Sequence, residues 1–87
     1  MAQRKLVFTS EAWDDYLYWI DQDRKTLKKL NKLIGETQRS PFDGIGKPEP
    51  LKDDYSGYWS RRIDDKNRFI YAITDVEIQI IACRFHY

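Results

Sequence analysis

The chain has 87 residues, and 15 Lys and Arg against 14 Asp and Glu leave a net charge of +1. This length fits one small domain spanning residues 1–87, and the near-neutral balance excludes a strongly basic nucleic-acid coat while leaving local clusters of charge open. Leu, Ile, Val and Phe make up 21 of the 87 residues, above the level of disordered chains but enough only for a thin core, of the kind a partner can complete.

Lone Cys83 excludes an intramolecular disulfide. No apolar run approaches the ~20 residues of a membrane span, and the stretch after Met1 to Lys5 is too short for a signal peptide. A cytoplasmic protein with no membrane partner is expected.

In chain order, Lys5 to Thr9 is short and rich in β-formers and predicts a strand. Thr9 and Ser10 supply an N-cap, with Glu11, Asp14 and Asp15 in the first turns where the helix dipole favours acids. Trp13, Tyr16, Leu17 and Ile20 then fall at helical spacing, so a first helix over about Ser10 to Asp21 is expected to bury that stripe. Asp21 or Asp23 caps a second helix with Leu27, Leu30, Leu33 and Ile34 as its apolar stripe. Gly35 should loosen this helix, and Pro41 marks its latest end. Lys25, Lys28, Lys29 and Lys32 repeat on another face. They read either as solvated helix surface or as an electrostatic footprint for structured RNA.

From Ser40 the composition changes. Pro41, Gly44, Gly46, Pro48 and Pro50 predict an irregular but ordered stretch, and a loop of this length in a small domain is usually functional. Pro48 and Pro50 should stiffen the backbone on either side of Glu49, pushing Lys47 and Glu49 towards extended geometry. The remainder reads as β: Tyr58 to Ile63, a turn at Asp64-Asp65-Lys66-Asn67, Arg68 to Ile73, and Val76 to Phe85. The nearly continuous apolar run Ile78-Gln79-Ile80-Ile81 predicts a central strand covered on both faces. The expected fold is α+β, in the order β-α-α-β-β-β: an αα-hairpin packed on one face of a small, mostly antiparallel sheet, with the other face free for a ligand.

Chemistry is concentrated in the second half. If the Asp64 turn holds an odd number of residues, Arg62 and Arg68 share a face; a three-residue loop sets them directly opposite. Like charges so placed repel unless an anion sits between them, which makes the pair a phosphate clamp. Glu49, this guanidinium cluster and His86 are the parts needed to move protons around a phosphate, although a lone histidine is weak evidence by itself. There is no metal-ligand spacing, no Gly-rich phosphate loop and no nucleophile elbow around Ser56 or Ser60. Cys83 lacks a second histidine or an obvious base motif for thiol chemistry.

Four stretches in one order and spacing carry a resemblance along essentially the whole chain. They are Trp13-Asp14-Asp15-Tyr16-Leu17-Tyr18-Trp19, Gly46-Lys47-Pro48-Glu49-Pro50-Leu51-Lys52, Ser56-Gly57-Tyr58-Trp59-Ser60-Arg61-Arg62-Ile63 and Ala82-Cys83-Arg84-Phe85-His86-Tyr87. The sequence resembles the YoeB/Txe toxins of bacterial toxin–antitoxin pairs, within the RelE-like superfamily. Asn67 stands where relatives can carry histidine, and Phe85 where they carry tyrosine.

The resemblance implies the RelE-like fold and a ribosome-dependent mRNA endonuclease that stops translation without metal or cofactor. It implies Glu49 as general base, His86 as general acid and Arg68 as the phosphate-stabilising arginine, with Lys52, Arg62 and Tyr87 around the scissile phosphate. It further implies a YefM-type antitoxin partner that covers the active site, contact with ribosome and mRNA, and operator DNA bound only through the antitoxin complex. Toxins of this branch can form homodimers. The alternative is a ribosome or RNA binder that inhibits translation without cleaving, and it would not need Glu49 or His86.

Overall fold

A computed structural model describes residues 3–85. Its elements are β1 (Lys5–Phe8), α1 (Ser10–Gln22), α2 (Arg24–Arg39), β2 (Glu49–Pro50), a 3-10 turn (Asp53–Tyr55), β3 (Trp59–Arg62), β4 (Arg68–Ile73) and β5 (Glu77–Ala82). The expected α+β architecture is present: two helices against a mixed five-stranded sheet in the order β1-β5-β4-β3-β2. β1 runs parallel to β5, and the other pairings are antiparallel.

Caps set both helix starts. The Thr9 hydroxyl accepts the Ala12 N–H at 3.1 Å, and the Asp23 carboxylate accepts the Thr26 N–H at 3.1 Å and its hydroxyl at 2.7 Å. These bonds satisfy donors that a helix cannot pair internally. α2 runs unbroken through Gly35 and ends before Pro41.

The core lies between the helices and one face of the sheet. Leu30, Leu33 and Ile34 of α2 and Ala12 and Trp19 of α1 meet Phe69, Tyr71, Ile78 and Ile80. Three expectations need correcting. First, α1 buries the Trp13–Ile20 stripe only in part: Tyr16 and Ile20 are half-buried, and Tyr16 packs against the core. Trp13 is 47% and Leu17 40% exposed, and Ala12 and Trp19 are its buried residues. The helix is rotated because its inner face also serves the end of the chain: the Asp15 carboxylate accepts the Cys83 N–H and the Trp19 indole N–H donates to the Cys83 carbonyl. Second, the strand covered on both faces is β4, buried from Phe69 to Ala72; β4 is the middle strand, whereas β5 alternates buried and half-buried residues. Third, the proline stretch contains a strand. β2 pairs with β3 at the sheet edge, the place where proline's missing N–H does least harm.

Arg61 is fully buried. Side chains alternate across a strand, so Arg61 points to the helix side while Arg62 points away. Its guanidinium donates to the Ser40 carbonyl, to the carbonyls of Asp43 and Ile45 at 2.9 Å each, and to the Tyr71 hydroxyl at 3.1 Å. Tyr71 in turn donates to the Pro41 carbonyl at 2.9 Å. This one side chain ties down the segment that leads to Glu49. At its end Gly46, φ +81°, lies so close to Leu33 that a Cβ would come within 2.8 Å of Leu33 Cδ2, and its carbonyl accepts the Arg62 N–H at 2.7 Å.

Candidate active site

Register places the expected residues. Glu49 pairs with Ser60, Ser60 with Ile70, and Ile70 with Ala82. Directly paired residues share a side of the sheet. Because Phe69 and Tyr71 face the helices, Glu49, Ser60 and Ile70 face the other way. One row along, Arg62 pairs directly with Arg68 on that same side. The expected opposition of the two arginines is therefore present. The hairpin closes as Asn67 O accepts the Ile63 N–H at 3.0 Å, which leaves three residues, 64–66, at its tip.

Glu49, Lys52 and Arg62 are exposed and Arg68 half-buried. Arg68 is anchored: its guanidinium donates to the carbonyls of Asp64 at 2.6 Å and Asn67 at 3.1 Å. Lys52 lies just beyond β2, at the start of the 3-10 turn. Beside the Glu49 row is a cavity of about 570 Å³ whose lining is mostly apolar and aromatic, with Leu51, Tyr55, Tyr58 and Ile70, and includes the carboxylates of Glu11 and Asp54. Such a surface, with a carboxylate, two facing guanidiniums and a lysine, can hold a phosphate and take a proton beside it.

Among the described residues, three other than glycine have positive φ: Lys47 at 50°, Asp53 at 57° and Phe85 at 61°. Such a conformation costs an L-residue about 1–2 kcal/mol. Lys47 and Asp53 bracket the segment carrying Glu49 and Lys52, and Phe85 directly precedes His86. Backbone strain of this kind gathers at functional sites. For Lys47 it corrects the extended geometry expected before Pro48: the chain must turn out of the segment held by Arg61 and into β2. Glu49, before Pro50, is extended as expected.

His86 and Tyr87 lie outside the described residues. The chain leading to them is held at successive points. Cys83 is held by Asp15 and Trp19, the Arg84 guanidinium lies 3.5 Å over the Tyr18 ring, and Phe85 donates its N–H to Asn67 Oδ1 at 2.8 Å while accepting the Arg68 N–H at 2.9 Å. Burial, with the nearby Asp15 charge, pushes the Cys83 thiol up to about 12, so it stays protonated at neutral pH.

Lys25, Lys28, Lys29 and Lys32 are all exposed on the outer side of α2, separate from the Glu49 face. Lys25 and Lys29 border a shallow cleft with Ile63 and Asp64, at the hairpin that ends in the arginine pair.

Asp64 organises that hairpin. Burial works to raise its carboxyl pKa, but hydrogen bonds from the Asn67 side chain and from the Lys66 and Asn67 N–H groups, with the Arg68 charge, outweigh it and hold the group below the ordinary aspartate value. A carboxyl lowered in the folded state stabilises the fold above the unfolded-state pKa, and that contribution disappears as pH falls through the folded value. Asp64→Asn should therefore make stability less sensitive to acid below about pH 4, as read from urea midpoints across that range.

A family model described as the YoeB-like toxin of bacterial type II toxin-antitoxin systems matches residues 8–87. The chain belongs to this family. It is 55% identical over 83 residues to Toxin YoeB of Escherichia coli K12, covering 95% of this chain and 99% of that protein. It is 40% identical, with a TM-score of 0.92, to the chain in a structure of the YoeB dimer from Staphylococcus aureus, covering 99% of this chain and 100% of that one. The YoeB–YefM complex from S. aureus matches at 39% identity and a TM-score of 0.89, with the same coverage. This YoeB-like chain is thus a toxin of a toxin–antitoxin system with the RelE-like fold. Sequence reasoning named Glu49, Arg62 and Arg68 as candidate site residues, and the fold brings all three to one face. It missed the structural task of Arg61 and the Asp64–Asn67 pair; strand alternation at 61–62 was the available signal for the first.

Proposed function

We propose that this toxin is an endoribonuclease that cuts mRNA on the ribosome by metal-free transesterification and so inhibits translation. The observation that carries the reading is the common face of Glu49 and the opposed pair Arg62 and Arg68. Glu49 takes the proton from a ribose 2′-hydroxyl, and the freed O2′ attacks the adjacent phosphorus. The P–O5′ bond breaks as His86 gives a proton to O5′. The products are a 2′,3′-cyclic phosphate and a 5′-hydroxyl. Arg68 and Arg62, with Lys52, offset the charge that grows on the phosphoryl oxygens, and Tyr87 supports the site beside His86.

The lysines of α2 extend positive charge from the hairpin across the helix layer, where the ribosomal RNA backbone would bind. We assign this chain a YefM-type antitoxin partner, the kind seen bound to the S. aureus relative, and allow a homodimer. Exposed Trp13 and Leu17, beside the β1 edge with its exposed Leu6 and Val7, supply apolar surface for such partners. Its place of action is the cytoplasm, where ribosomes translate.

The test adds purified protein to a reconstituted translation reaction and maps mRNA 5′ ends, alongside a Glu49→Ala/His86→Ala variant. Cuts at ribosome-occupied codons, lost in the variant, are expected. Equal arrest by both proteins without cuts would leave a non-cleaving inhibitor.

A further inference from the structure

We infer that Asn67 is a positioning residue: its side-chain amide, braced by Asp64, grips Phe85 and so sets the point from which the chain delivers His86. The inference rests on the reading of His86 as proton donor to the leaving O5′.

Asn67 is only 7% exposed, and a buried amide must satisfy both of its ends. Its Nδ2 donates to Asp64 Oδ1 at 3.0 Å and Oδ2 at 3.1 Å. Its Oδ1 accepts the Phe85 N–H at 2.8 Å. The partners define the amide's orientation, because a carboxylate needs a donor and an N–H needs an acceptor. Asp64 Oδ1 is itself fixed by the Lys66 and Asn67 N–H groups, both at 2.8 Å. Hairpin backbone, Asp64, Asn67 and Phe85 therefore form one continuous chain of hydrogen bonds.

Phe85 needs this grip. β5 ends at Ala82, and Phe85 sits at φ +61°, a conformation that a residue with a Cβ avoids. Both of its backbone polar groups are engaged at the hairpin: the N–H by the Asn67 side chain and the carbonyl by the Arg68 N–H at 2.9 Å. The same hairpin carries Arg68, so the tail and the phosphate-binding arginine share one brace. The next residue after Phe85 is His86, and a proton donor displaced by about 1 Å can lose 10²-fold in rate.

The experiment compares two synthetic mRNAs in programmed ribosomes under single-turnover conditions. One has the ordinary linkage at the cut site. The other has sulfur in place of the bridging 5′-oxygen, a leaving group that departs without a proton. Asn67→Ala is expected to cut the oxygen substrate roughly 10–100-fold more slowly than wild type, with unchanged half-saturation, and to regain near wild-type rates on the sulfur substrate. His86→Ala should show the same pattern more strongly. The exchanged pair, Asp64→Asn with Asn67→Asp, keeps an acceptor for Phe85 and a donor between the two side chains, and should cut both substrates at near wild-type rates.

Hydrogen exchange at the Phe85 amide reads the grip independently of catalysis: its protection should fall in Asn67→Ala and persist in the exchanged pair. Equal protection in Asn67→Ala, wild-type rates on the oxygen substrate, or an equal defect on both substrates would overturn the positioning role while leaving His86 as the acid. Wild-type rates for His86→Ala on both substrates would remove the acid itself, and the inference with it.

Discussion

Glu49→Gln is expected to slow mRNA cleavage by about 10²–10⁴-fold, the usual contribution of one positioned proton-transfer group. Each tenfold loss is ~1.4 kcal/mol of barrier. The substitution keeps the side chain's size and leaves the Pro48–Pro50 backbone intact, so only the ability to take a proton changes. Glu49 is exposed and has no hydrogen bond or ion pair to another side chain among the described residues; its replacement should therefore leave the unfolding midpoint within about 0.5 kcal/mol. Single-turnover cleavage on programmed ribosomes reads the first number and a urea titration the second. A loss smaller than about threefold would remove Glu49 as the base.

Arg61→Met should do the reverse of what a site arginine does and unfold the protein or nearly so. The guanidinium is wholly buried among three carbonyls and the Tyr71 hydroxyl. A hydrogen bond to a charged group contributes about 1.5–3 kcal/mol. Some of the freed carbonyls, in segment 40–45, can regain water, so a loss of about 3–5 kcal/mol is expected rather than the full sum. A small domain has only about 5–15 kcal/mol in total. Arg62→Met, one residue on, faces solvent and should leave stability almost unchanged while slowing cleavage. Equal stability effects at the two positions would contradict the alternation of β3. An active, stable Arg61→Met protein would show that segment 40–45 needs no such anchor.

That contrast shows where the sequence was readable. Period-two alternation and turn chemistry around Asp64 made the pairing of Arg62 with Arg68 conditional on the loop length, and the structure supplies the register that sets them opposite. The Glu49 face required long-range pairing to Ser60 across a two-residue strand, which two prolines disguise. The α1 stripe was legible only in part, because periodicity counts apolar residues and cannot see that Asp15 and Trp19 must turn inward to hold Cys83. Arg61 stood beside Arg62 with no role of its own until the fold supplied carbonyls for it. Asn67 read as ordinary turn chemistry; only the return of the chain end to the hairpin gives its amide an acceptor's task.

A single 2′-deoxynucleotide on the 5′ side of the mapped cut site tests the transesterification directly. With no 2′-hydroxyl for Glu49 to deprotonate, the wild-type protein should leave that mRNA intact while still cutting the all-ribose message on the same ribosomes. Cleavage of the deoxy-substituted message at the same bond would contradict an internal 2′-oxygen nucleophile.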